Sequence, residues 1–135
     1  MPQMPIWRTP KNIVKAIEEA DGIWESDKWS PIILAAMTET ELDGREIQIA
    51  WQIEFDPSEE EFERTNESIQ ESGIEPDGYG WGNLVRNVVQ ESDPELAGRL
   101  HLDDCETAAC VIWVEKEDDC RKLIETTWRL IFTDA

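Results

Sequence analysis

The residues best equipped for chemistry are few and poorly spaced for it. His101, Cys105, Cys110 and Cys120 are zinc-binding residue types. Their separations of three, four and nine intervening residues lack the paired CxxC knuckle of a structural zinc site. They read more simply as small hydrophobes in or near the core, so no metal and no other cofactor is expected. With one histidine in the chain, any Ser–His or Cys–His pair would have to use His101, and no serine sits in a nucleophile elbow. The carboxylate pairs Asp103–Asp104 and Asp118–Asp119 are adjacent residues, whereas an acid–base pair needs a set separation across a cleft. The run Pro76-Asp77-Gly78-Tyr79-Gly80-Trp81-Gly82 precedes a helical pattern and could offer amide N–H groups to a phosphate. It matches neither GxGxxG nor GxxxxGK, has no lysine nearby, and carries Glu75 and Asp77, which repel anions. Its glycines are expected to serve geometry, giving positive φ and close backbone approach while Tyr79 and Trp81 anchor the run on the core. Catalysis has little to build on, and no enzyme is expected.

Binding has more. Between Glu54 and Asp77 stand ten acidic residues and one basic residue, Arg64, and the whole chain carries a net charge of −19. Like charge at this density opposes compaction, so the surplus points to a basic partner, with bulk solubility as the plainer explanation. Glu60, Glu63, Glu67 and Glu71 recur at helical spacing and would form one acidic ridge. The favoured binding face is this helix together with the run Asp77 to Gly82, including Tyr79 and Trp81. Trp7, Trp24 and Trp29 lie outside any strong apolar stripe and are candidate anchors for a partner. Nucleic acid and anionic membranes would be repelled, so neither is an expected direct ligand.

The elements that position these residues follow from periodicity. Thr9-Pro10 reads as a helix start, Ile13, Val14, Ile17 and Ala20 keep helical spacing, and Asp21-Gly22 stops it. Trp24 and Trp29 fall in a connecting stretch ending at Pro31. Ile32 to Thr38 reads as a buried strand, Asp43-Gly44 as a turn. Ile47, Ile49, Trp51, Ile53 and Phe55 then alternate with polar residues, the pattern of a strand with one dry and one wet face. Ser58-Glu59-Glu60-Glu61 has the form of a capping box opening a helix to about Glu71, stopped at Gly73, with only Phe62 and Ile69 as an apolar stripe. Gly73 to Gly82 reads as a loop. Trp81, Leu84, Val85, Val88 and Val89 mark a core-facing helix, and Asp93-Pro94 starts a short helical piece. Leu100 and Leu102 suggest a short strand, Ala109 to Glu115 another, and Asp118 to Phe132 a closing helix with a continuous stripe. The predicted fold is α+β. It is one domain over residues 1–135, a roughly four-stranded, mostly antiparallel sheet with helices on one face, and residues 1–30 are a helical extension packed on it.

Composition is compatible with that fold. Forty per cent hydrophobic residues and seven tryptophans argue against disorder. The N-terminus lacks the basic and apolar regions of a secretion signal, and the longest apolar run, Ile32 to Met37, is too short to span a bilayer. Three cysteines without a CxxC pair suit a reducing compartment. A soluble cytoplasmic protein is expected.

From about Phe62 onward the chain resembles the immunity protein 51 family of bacterial polymorphic-toxin immunity proteins. The resemblance rests on Gly73-Ile74-Glu75, on Gly78-Tyr79-Gly80-Trp81, and on the helix Leu84 to Val89. Pro94-Glu95-Leu96, the segment Leu100 to Trp113 and the closing helix extend it. The chain departs from the family pattern at Gly80, where an acidic residue is usual. The resemblance implies a non-enzymatic inhibitor that binds a cognate toxin and blocks its active site or substrate groove. Two other readings compete: an acidic regulator or nucleic-acid mimic that sequesters a DNA- or RNA-binding protein, and a small enzyme using His101 with Asp103 or Asp104.

Overall fold

Alternating apolar residues make residues 45–55 the backbone of the sheet. The computed structural model describes residues 3–42, 45–102 and 104–132, with 39–42 and 45–47 described by backbone alone. Strand β3 (Arg45–Phe55) lies between β2 (Ile33–Leu42) and β4 (Cys110–Val114), and β1 (Ile23–Ser26) pairs with the far edge of β2. Every pairing is antiparallel. Across the strands Leu34 faces Ile53, which faces Ile112, and Ala36 faces Trp51, which faces Val114. Because side chains alternate between faces, these rows share one side of the sheet. All of them are buried there with Phe55 and Cys110.

The helices cover that same side. Ile17 of α1 (Ile13–Glu19), Ile69 of α2 (Glu63–Glu71) and Trp81, Val85 and Val89 of α3 (Gly78–Ser92) join the cluster. So do Leu96 of α4 (Pro94–Ala97) and Leu123, Ile124, Trp128 and Ile131 of α5 (Glu117–Phe132). Among the described residues, the opposite side of the sheet holds a small cluster, Ala50, Val111 and Trp113, with Met37 and Ala109 beside it. The result is the predicted α+β fold: a four-stranded antiparallel sheet with helices on one face. Each fully buried Leu, Ile or Phe side chain contributes about 1.5–3 kcal/mol. Among the described residues, no helix is long and apolar enough to cross a membrane.

Several local expectations are corrected. The first helix is capped by Asn12, whose side chain accepts from the Lys15 amide, and not by Thr9. The Thr9 hydroxyl and the Trp7 indole N–H instead both donate to Glu117 Oε2, at 2.7 and 2.9 Å. The stop falls where expected, with Asp21 and Gly22 at positive φ. Trp24 lies in β1, a strand too short to show a period. Trp29 is buried, and Trp7 packs on both Trp29 and Trp51. The capping box does not form: the Ser58 amide and hydroxyl both donate to Asp56 Oδ1, and a 3-10 turn (Glu60–Phe62) leads into α2. Those two bonds hold the Asp56 carboxyl below its ordinary pKa. The strand expected at Leu100–Leu102 reduces to a bridge between His101 and Trp113. The turn expected at Asp43-Gly44 lies outside the described residues.

Candidate functional site

The acidic helix is held by neutral hydrogen bonds on its inner side. Phe62 stacks on Phe55 with ring centroids 4.9 Å apart, and Trp81 meets both rings edge-on at 5.3 Å. Such aromatic pairs add about 0.5–1.5 kcal/mol beyond area burial. Asn66 bridges three elements. Its amide donates to the Pro57 carbonyl at 2.7 Å, and its oxygen accepts from Trp81 Nε1 at 2.6 Å. The Thr65 hydroxyl donates to the Leu130 carbonyl of α5. With Thr65, Asn66 and Ile69 turned inward, helical geometry sends the row 63, 67, 71 of α2 outward, and Glu60 precedes it in the 3-10 turn. Glu60, Glu63, Glu67 and Glu71 are all exposed.

The glycine run is not the expected loop. The helix α3 begins at Gly78, so Gly78, Gly80 and Gly82 stand in its first turns, and all three are buried. None has the positive φ anticipated for them; among the described glycines that conformation belongs to Gly22 and Gly73. Close approach is the reason for glycine here. A Cβ on Gly78 would collide with the Glu106 and Ala109 carbonyl oxygens, and one on Gly80 with that of Glu75. On Gly82 a Cβ would sit 2.8 Å from Leu102 Cδ2. Phosphate has no free cradle at this helix end, because the Gly80 amide donates to Asp77 Oδ1 at 2.9 Å and the Gly78 amide to the Thr107 carbonyl at 3.1 Å. Asp77 is therefore an N-cap. Tyr79 projects from the same turn and is 53% exposed, whereas Trp81 is fully buried and acts on the face from beneath. The sequence-predicted residues thus divide into an exposed set and two that hold the frame.

Periodicity alone did not reveal the groove beside the ridge. Its volume is about 290 Å³, between α2 and α3 and against the end of α5. Ile69, Ile74, Leu84 and Leu130 supply apolar lining, and Arg64, Ser68, Asn83 and Asn87 line it with polar groups. Ile74 is 49% exposed. A weak signal was present: Leu130 is apolar but lies off the buried stripe of α5.

The other candidates do not assemble. Among the described residues no three His, Cys, Asp or Glu side chains are placed to hold a metal ion. Cys105, Cys110 and Cys120 are buried free thiols. A hydrogen bond with Cys105, then burial, pushes the Cys110 thiol far up, and burial raises Cys120. Cys105 Sγ also lies 3.3 Å from the Val111 carbonyl. His101 lies 3.8 Å from a Glu115 carboxylate oxygen. A polar depression lined by Gln52, Glu54, Asp104 and Glu106 does not include His101 in its lining, and Asp103 lies outside the described residues. Asp119 belongs to the frame: buried in the first turn of α5, it takes a two-pronged bond from Arg99 at 2.8 and 3.1 Å. That contact raises the Arg99 guanidinium above its ordinary pKa.

Against known proteins, the family model described as immunity protein 51 matches residues 48–134, which is 87 of the 135 residues. The match takes in β3 from residue 48 as well as the segment from Phe62 onward. No curated protein and no solved structure matches the chain.

Proposed function

Since the chain belongs to the immunity protein 51 family, we propose that it binds a cognate toxin and neutralises it by covering the active site or substrate groove. The toxin surface it meets is basic. The observation that carries this reading is the outward row of Glu63, Glu67 and Glu71 on α2, with Glu60 exposed in the 3-10 turn before it, in a segment whose only basic residue is Arg64. Exposed carboxylates in register steer a cationic partner and speed its encounter. Tyr79 contributes contact area at the α3 end of the face, and Asp77 and Trp81 hold that end in place. The protein acts by binding, without turnover of its own, in the cytoplasm of the cell that makes the toxin.

Co-expression with the adjacent open reading frame tests it. Growth arrest caused by that product should be relieved by this chain, and the two should co-purify. Growth arrest that persists with both proteins present, and no complex, contradicts the reading.

A further inference from the structure

The groove beside the ridge has the size and charge arrangement of a socket for one partner side chain. At about 290 Å³ it stands at the lower limit of small-molecule pockets, too small to enclose most of a larger ligand. Its apolar floor is Ile69, Ile74, Leu84 and Leu130. Charge then sorts what enters. Arg64 lines the groove itself, whereas Glu67 and Glu71 occupy the neighbouring row of α2. The lining carries no carboxylate to receive a cation, whereas a cation at the rim meets Glu67 and Glu71. A second copy of this chain would bring another −19 to an already acidic face, so self-docking is opposed by charge.

We propose that the groove receives one uncharged apolar side chain of the toxin, carried between lysine or arginine residues that pair with the ridge. This rests on the toxin-binding reading above and adds a division of labour. The ridge governs association, and the socket governs residence time, which is where most affinity differences lie. Exposed Tyr79, next to Gly80 of the lining, extends the contact beyond the groove mouth.

Ser68→Trp and Asn87→Trp each fill the groove from a different helix, at positions exposed on the free protein, so circular dichroism should show both folded. Binding is measured by surface plasmon resonance to the catalytically inactivated toxin domain encoded by the adjacent reading frame. The expected result is a dissociation rate at least tenfold faster in either folded variant, with an association rate within about twofold of wild type. An unchanged dissociation rate in the folded variants, with wild type binding tightly, overturns the socket while leaving the toxin-binding reading intact. Absence of wild-type binding overturns both. A filled variant that loses self-association but keeps the wild-type dissociation rate assigns the groove to a second copy and also overturns the proposal.

Discussion

Two tryptophans separate what a hydrogen bond contributes from what a ring contributes. Trp81 Nε1 donates to Asn66, whereas Trp113 Nε1 is buried with no acceptor among the described residues. Replacing Trp81 by Phe strands the half-buried Asn66 oxygen as well as shrinking a fully buried ring, and should cost about 2–4 kcal/mol. Trp113→Phe removes an orphan donor, so its cost should stay below about 1.5 kcal/mol. Urea denaturation of the two variants compares them directly. Glycine offers a similar contrast. Gly73→Ala, at φ +85 with open space around it, should lose about 1 kcal/mol from backbone conformation alone. Gly78→Ala must move backbone at Glu106 and Ala109 and should lose about 3 kcal/mol or more. The buried thiols give the fold an alkaline limit. The Cys110 and Cys120 pKa values are raised in the folded state, so their contribution to stability is full below the ordinary thiol pKa of 9.0 and falls as pH rises above it. The slope should approach about 1.4 kcal/mol per pH unit for each thiol. Cys120→Ala should flatten it, as thermal melts between pH 8 and 10.5 would show.

At the scale of elements, long periodic segments were legible and short ones were not. The stripe of α5 and the alternation of β3 were read from sequence because each repeats its period several times over. The strand β1 is four residues long, too few to show a period, and the segment around Leu100 and Leu102 alternates without pairing beyond one bridge. Capping failed for a different reason. At Ser58 the side chain had a competing local partner, Asp56, two residues back, and a propensity argument could not choose between them. The candidate face was legible as charge, because helical spacing places Glu60, Glu63, Glu67 and Glu71 in one row. Its groove was not, because Ile74 and Leu130 meet only through tertiary packing. We propose that residues 1–30, anticipated as an extension, are integral to a single domain. Ile17 and Trp29 are buried in the main cluster, Trp7 packs on Trp29 and Trp51, and β1 closes the sheet edge. Deleting them should lower the melting temperature by more than about 10 °C or abolish a cooperative transition. A truncated chain that melts like the full one would make this segment an appendage.

For the whole molecule, a net charge of −19 is a standing cost to compactness and an advantage in encounter. Added salt should therefore pull in opposite directions: it screens self-repulsion and stabilises the free protein, and it slows association with a basic partner. Membership of the immunity protein 51 family supplies the kind of partner, and we propose the acidic face as the means of meeting it. The most direct measurement is the association rate of the combined variant Glu60→Lys, Glu63→Lys, Glu67→Lys with the inactivated toxin domain, followed by stopped flow across ionic strength. The account predicts an association rate at least tenfold below wild type in low salt, a flatter salt dependence, and convergence of the two proteins near about 0.5 M salt. A variant that associates as fast as wild type, with the same dependence on salt, contradicts it.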